Sequence, residues 1–305
     1  MKKNSYNIIM KILSRKPALI LDQLLFRIKE DKVFAISAQL TYFLILSIFP
    51  FIVVFLNILS YTSLVRDEVL TGFIWYLPFE TQELIYRFVD EIVVTSSHEL
   101  LSFAAFAGIW TASSGLISVI RAINTAYGYE EKRSYFKIKF MSIIFTLAFL
   151  ILLIFIFTTL VLGEILGGKL FAFFGGSNLF VSIWSTIRLA ITPSFMIFTF
   201  GLLYKFSPCV QDRRTITLKS TLPGAAFSAI GWIFTSIGFS YYVNNFGRYT
   251  ITYGSLGGVI ILLIWLYISS IIIVLGGEVN ATLTYFKRYG YRWVRDKSLL
   301  KRVIK

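Results

Sequence analysis

Arg188 lies inside an apolar run at 179–203, about 13 Å into a helix that rises 1.5 Å per residue. A cation at that depth costs about 2.5 to 3.5 kcal/mol on insertion, so it turns toward a bundle interior or a wet cavity. There it can pair with a phosphate or carboxylate headgroup, or serve as helix glue bonded to backbone carbonyls. Arg121 ends an earlier apolar run and can snorkel to the headgroups or join Arg188. Gln39, Tyr42 and Asn124 supply hydrogen-bonding groups near the ends of apolar runs, and Glu278 with Asn280 forms the polar end of the last one. Together these residues fit the recognition of an anionic, lipid-like substrate. Pro50 and Pro193 each remove a backbone donor within a run and can bend it, either for packing or as hinges opening a lateral path for acyl tails.

Other chemistry is poorly supplied. Hydrolysis of RNA needs a general acid and base, or a cluster of metal ligands. The chain has one histidine, His98, with no second ligand at metal spacing. The acids Asp22, Glu30, Asp31, Glu130, Glu131, Asp212 and Asp296 show no paired catalytic spacing along the chain. No GxxxxGK[ST] phosphate loop occurs, so any active transport needs a gradient or a partner. Cys209, the one cysteine, cannot form an intramolecular disulfide. These readings predict no catalytic residues, no metal and no cofactor.

The elements that must position the polar residues are membrane helices. With 56% hydrophobic residues, 15% charged residues and a mean hydropathy of +0.73, a water-soluble chain of this size would lack a polar surface. Six apolar runs, at about 35–59, 101–123, 140–162, 179–203, 223–243 and 255–277, each match the ~20 residues that cross a bilayer. The expected fold is therefore an all-α integral membrane protein, a bundle of six transmembrane helices. Residues 1–33 form a basic amphipathic segment with two patterns separated by Pro17, and 34–284 the transmembrane domain. Residues 285–305 form a basic tail. The acidic stretch 61–100 predicts short amphipathic helices on the outer face.

Charge sets the orientation. Eight Lys or Arg lie in 1–33, four in 132–139, four in 205–219 and eight in 285–305, which is 24 of the 30 in the chain. All fall on one side of a six-span topology, so the positive-inside rule predicts both termini in the cytoplasm. The net charge of +14 is then explained by anionic lipid rather than nucleic acid, because the basic residues alternate with spans and form no single groove.

The last two runs and their hinge are the most patterned part of the chain. Gly224/Ser228, Ala225/Ala229 and Gly254/Gly258 are spaced as small-xxx-small, which allows close helix approach. The stretches AQLTYFLILSIFPFIV, IWTASSGLISVIRAINTAYG, PGAAFSAIGWIFTSIGFSYYVNNFG and YGSLGGVIILLIWLYISSIIIVLGGEVNA resemble the YihY/BrkB family of bacterial inner-membrane proteins over roughly residues 20 to 285. The resemblance implies six transmembrane helices in a bacterial cytoplasmic membrane. Members of the family have been labelled virulence factors linked to serum resistance and proposed to move lipids, and an older label called them ribonuclease BN.

Two functions compete on these grounds. One is transport or flipping of an anionic lipid-like substrate, centred on Arg188. The other is a non-catalytic scaffold for an envelope assembly, using the acidic outer segment and the basic tail. A channel is a weaker third reading, because no ring-forming filter sequence is present. The expected partners are membrane lipids, the anionic leaflet at the basic termini, and a second copy or an envelope protein.

Overall fold

The computed structural model describes residues 16–60, 98–157, 178–210, 216–246, 256–291 and Ser298. Side chains are described at 16–48, 50, 102–155, 190–210, 216–243, 245, 257–291 and 298. Among the described residues there are seven α-helices and no strand. They are α1 (Lys16–Glu30), α2 (Val33–Ser60), α3 (His98–Tyr127), α4 (Tyr135–Phe157), α5 (Asn178–Phe206), α6 (Leu218–Phe246) and α7 (Leu256–Tyr289). The expected outer-segment helices fall almost wholly outside the described residues, as do the first amphipathic pattern and most of the basic tail.

Local signals explain the helix ends. Pro17 sits in the first turn of α1, where its missing N–H is no loss. Lys32 takes a left-handed φ of 53°, and there the axis turns by 57° from α1 into α2. Gly128 (φ 73°) closes α3, with its N–H donating to the Thr125 carbonyl and that of Tyr129 to the Asn124 carbonyl, both at 2.9 Å. Thr217 and Ser220 cap α6 reciprocally, each backbone N–H donating to the other's hydroxyl at 3.0 and 3.3 Å.

Four described helices are long and apolar enough to cross a membrane: Ser102–Tyr127, Tyr135–Phe155, Leu218–Val243 and Gly257–Tyr289. The bent pair α1–α2 adds a fifth if taken as one span, and Ala190–Phe206 is a shorter apolar helix. Pro50 and Pro193 both lie inside helices, α2 and α5. The outward surfaces are apolar and aromatic, with Phe136 at 81% and Phe234 at 72% exposed, as lipid as the solvent requires.

The chain divides into two compact units, one of Met1–Thr41 and Leu116–Lys305, the other of Tyr42–Gly115. In the smaller unit Phe106 stacks on Trp110 at 5.7 Å, and the Ser113 and Ser114 hydroxyls donate to the Trp110 carbonyl at 2.8 and 3.1 Å. Such back-bonding satisfies serine without water.

In the larger unit α6 packs chiefly on α7 and α5, α4 packs on α5, and α1 lies against α7. Leu19 of α1 and Phe286 of α7 form a buried pair, flanked by Ile20 and Tyr285. Val33, Ala122 and Val274 form a second cluster, joining α2, α3 and α7. Tilted ring contacts of Phe149 with Phe200 and Phe155 with Phe195 hold α4 to α5. Ala225, Ser228 and Ala229 are fully buried on α6, so those small residues do face a neighbour. Gly258 does not: a side chain there would meet open space, and Gly254 lies outside the described residues. The close partner on α7 is Gly276. A Cβ on Gly224 would strike the Gly276 carbonyl and the Asn280 carboxamide, and one on Gly276 would strike the Ser228 and Tyr204 hydroxyls.

Candidate functional site

The sequence places the end of the last span near Gly277, with Glu278 and Asn280 at a boundary. Instead α7 runs on to Tyr289, so both residues lie within the helix. The helix continues because its polar residues there find partners on neighbouring elements while Val279, Ala281 and Phe286 keep the apolar contacts going.

Asn280 is fully buried and ties α7 to the first turns of α6. Its Oδ1 accepts the Gly224 N–H at 2.7 Å, and its Nδ2 donates to the Thr221 carbonyl at 3.0 Å. The Thr221 hydroxyl in turn donates to the Gly201 carbonyl of α5 at 3.2 Å. One turn away, Tyr204 reaches in from α5. Its hydroxyl donates to the Ile273 carbonyl at 2.6 Å and lies 2.7 Å from the Ser228 hydroxyl, which donates to the Ile272 carbonyl at 3.1 Å. Three helices are thus joined by hydrogen bonds in a seam that only glycine at 224 and 276 permits.

Glu278 is 1% exposed, and its cation comes from α1. Arg27 Nη1 stands 3.9 Å from Glu278 Oε2. The same Nη1 donates to the Ala126 carbonyl at the end of α3, and the guanidinium lies 5.7 Å from the centre of the Tyr285 ring. Asp31, in the turn after α1, brings a second carboxyl against Glu278. Burial pushes the Asp31 carboxyl above its ordinary value of 3.8, against the opposing pull of Arg27. Among the described residues six buried side-chain atoms lack a hydrogen bond, and Glu278 Oε2, Arg27 Nε and Thr282 Oγ1 are three of them. One arginine therefore faces two carboxyls, and the pair cannot readily carry two negative charges. Chain spacing hides this pairing, because the two acids come from opposite ends of the sequence.

Asn124, in the last turn of α3, joins a third polar group with residues that follow the helix. Its Nδ2 donates to the Ile120 carbonyl at 3.2 Å and to Glu131 Oε2 at 2.7 Å, and its Oδ1 accepts the Cys209 N–H at 2.6 Å. Arg133 grips Glu131 with Nε and Nη2 and donates to the Ser207 carbonyl at 2.6 Å. Partial burial works to raise the Glu131 carboxyl, but its hydrogen bonds and charge pairing with Arg133 hold it below the usual range.

Of the residues singled out from sequence, Asn124, Glu278 and Asn280 are buried in polar networks, and the Asn124 carboxamide is occupied at both ends. Gln39, Tyr42 and Arg121 are exposed. Arg188 belongs to α5, but its side chain lies outside the described residues, as does that of His98. Among the described residues no three His, Cys, Asp or Glu side chains could share one metal ion. Arg27, Asp31, Tyr204 and the Glu131–Arg133 pair are new to the site. Their signal in the sequence is indirect: an acid inside an apolar helix demands a cation, and Arg27 with Asp31 is an (i, i+4) pair.

The profile of the family described as Virulence factor BrkB matches residues 24–296. The chain belongs to that family. A Bacillus subtilis protein named "ribonuclease-like protein YfkH" is 38% identical over 247 residues, covering 81% of this chain and 88% of its own length. The "UPF0761 membrane protein YihY" of Shigella sonnei is 27% identical over 221 residues, covering 70% and 69%. A UPF0761 membrane protein of Alteromonas mediterranea is 27% identical over 272 residues, covering 84% and 85%. No solved structure matches the chain. The matched region of the BrkB profile contains Arg27, Asp31, Asn124, Glu278 and Asn280, together with every apolar helix described above. The chain is a membrane protein of the BrkB family, and its several long apolar helices mark it as multi-pass.

Proposed function

We propose that this BrkB-family chain moves an anionic, lipid-like substrate within or across the bacterial cytoplasmic membrane. In this reading it has six spans, with 61–100 outside and the segments 1–33 and 285–305 in the cytoplasm against the anionic leaflet. The observation that carries it is the buried Arg27–Glu278 pair, with Asp31 beside it and Glu278 Oε2 left without a hydrogen bond. A buried ion pair is a poor way to stabilise a bundle, since apolar residues of similar volume do as well or better. An ionisable group within a membrane helix, as Glu278 is in α7, is instead the usual mark of a substrate or ion path, with Arg27 of the interfacial α1 as its counter-ion. Arg188 and Arg121 remain the sequence's candidates for the headgroup, with Gln39, Tyr42, Asn124, Glu278 and Asn280 as polar partners and Pro50 and Pro193 as hinges. Catalysis, a cofactor and nucleic acid have no part in this reading; the ribonuclease-like name belongs to the relative from Bacillus subtilis.

The hydrogen-bonded seam of α5, α6 and α7 favours a second reading, a rigid scaffold for a second copy or an envelope protein. Proteoliposomes containing a fluorescent phosphatidylglycerol separate the two. Transport predicts faster loss of inner-leaflet label than in protein-free liposomes, reduced at least about tenfold by Glu278→Gln. A protein that leaves the rate at the protein-free level overturns transport and leaves the scaffold.

A further inference from the structure

A cavity of about 340 Å³ opens where the first turns of α4 meet the end of α5, apart from the Glu278 site. It is lined by Arg133, Lys137, Met141, Lys205, Phe206 and Pro208, with Cys209 and Val210 at the following turn. Its volume is within the range of small-ligand pockets. Three of its side chains are cations, and among the described residues no acid lines it.

The cations are not equivalent. Arg133 is held by Glu131 and by the Ser207 carbonyl, which fixes its guanidinium in the wall and balances its charge. Lys137 is exposed and Lys205 is half-buried, with its ammonium 5.1 Å from the centre of the Phe206 ring. The wall thus presents two ammonium groups beside a pinned arginine, with Met141, Phe206 and Pro208 as an apolar lining. Tyr135, Phe136 and Phe140 are exposed at the start of α4, Phe136 at 81%. An exposed tyrosine at a helix end, as Tyr135 is, marks the membrane–water interface, the depth at which lipid phosphates lie. Basic pockets between helices at that depth bind anionic headgroups.

We propose that this cavity binds a phosphate-bearing anion, with Lys137 and Lys205 on the phosphate and Met141, Phe206 and Pro208 against its apolar part. The inference deepens the lipid-handling reading and rests on it for the bilayer setting. It adds a headgroup site at the interface, made from residues that the Glu278 network does not use. The ligand is either a lipid headgroup or a free phosphate, and the chemistry at the lysines is the same for both.

Cys209 lines the cavity and is the one thiol of the chain, so its reactivity reports occupancy in the unaltered protein. The full chain in phosphatidylcholine nanodiscs is treated with a maleimide, with added dioctanoyl phosphatidylglycerol, dioctanoyl phosphatidylcholine or inorganic phosphate. Protection of several-fold by phosphatidylglycerol but not phosphatidylcholine assigns the site to a lipid headgroup; protection by inorganic phosphate assigns it to the free anion. Lys137→Gln/Lys205→Gln should weaken the protecting ligand about thirtyfold, at about one order of magnitude or less per basic contact. Lys137→Arg/Lys205→Arg should retain protection. Equal elution on gel filtration and equal alkylation without ligand show that the fold is kept; if the double variant does not fold, Lys205→Gln alone should weaken protection about fivefold. No protection by either phosphate compound, equal protection by phosphatidylcholine, or protection that survives loss of the lysines in folded protein overturns the site. Protection without lipid translocation in proteoliposomes would instead remove the transport reading and leave the site standing.

Discussion

Glu278 on α7 and Arg27 on α1 form an ion pair at 3.9 Å, with the carboxylate fully buried and the arginine nearly so. It fastens a basic amphipathic helix to the longest apolar helix described, at the point where α3 ends. A pair of this kind is asymmetric in its energetics. Removing one partner strands a buried charge, at about 3 to 5 kcal/mol, whereas replacing both with apolar residues is often neutral. Arg27→Ala and Glu278→Ala should therefore each lower the melting temperature in detergent strongly. Arg27→Met/Glu278→Leu should recover most of the loss, and a double-mutant cycle measures the coupling. Losses that simply add would show that the pair is not the fastening.

Asp31 and Glu131 predict opposite pH responses. Asp31 is raised by burial, so the folded state favours its protonated form. Its stabilising contribution is present at low pH and is lost as pH rises through the folded value. Glu131 is lowered by Arg133, so its contribution is present above the ordinary carboxylate value of 4.5 and is lost as pH falls through the folded value. Thermal unfolding across about pH 3 to 8 should show Asp31→Asn removing a loss on the alkaline side, and Glu131→Gln removing one on the acid side. The same sign for both variants would contradict this assignment.

The α6–α7 seam leaves no room at two glycines. Gly276→Ala and Gly224→Ala place a methyl against backbone and hydroxyl atoms that cannot move far. Each should cost several kcal/mol, since overpacking alone costs about 1 to 3 and the hydrogen bonds of Asn280 or Tyr204 are displaced as well. Gly258→Ala meets open space and should be neutral or stabilising by up to about 1 kcal/mol through helix propensity. Thermal unfolding of the three variants in one detergent tests the contrast.

Tyr204→Phe removes a fully buried hydroxyl that bridges α5 to both partners. The Ser228 hydroxyl keeps the Ile272 carbonyl, but the Ile273 carbonyl loses this side-chain donor. The expected loss is about 1 to 3 kcal/mol, the usual cost of stranding a buried polar group. A loss below about 0.5 kcal/mol would mean that the hydroxyl finds no net gain in the seam.

Sequence pattern carried the helices well and the site less evenly. Apolar runs long enough to cross a bilayer are visible because lipid forces every backbone group into a helix, and each described long helix overlaps one of them. The end of α7 was not legible, since Glu278 and Asn280 read as a polar boundary until their partners on α1 and α6 are known. Glu278, Asn280 and Asn124 stood out as polar residues against an apolar background. Arg27 did not, being one of eight basic residues in the first 33, with nothing in its spacing to set it apart. The Asp31–Glu278 contact joins opposite ends of the chain, and no periodicity encodes it. Small-xxx-small spacing identified the tight face of α6 but pointed to Gly258 rather than Gly276, because spacing alone does not say which way a helix faces.

Cys209 also tests the orientation of the whole chain. It follows α5 in the connector at the centre of the basic stretch 205–219, whose Lys205, Arg213, Arg214 and Lys219 make it one of the four on which the positive-inside assignment rests. With both termini in the cytoplasm, this connector faces the cytoplasm too. A membrane-impermeant maleimide should then label Cys209 in inverted membrane vesicles and leave it unlabelled in right-side-out ones, because the reagent cannot reach the inner face. The thiol is half-buried rather than enclosed, so it is accessible from its own side. A cysteine introduced at Ser298 in a Cys209→Ser background should follow the same pattern if the tail shares that side. Labelling of Cys209 from the outside would reverse the orientation, and opposite patterns for the two positions would require an odd number of spans between them.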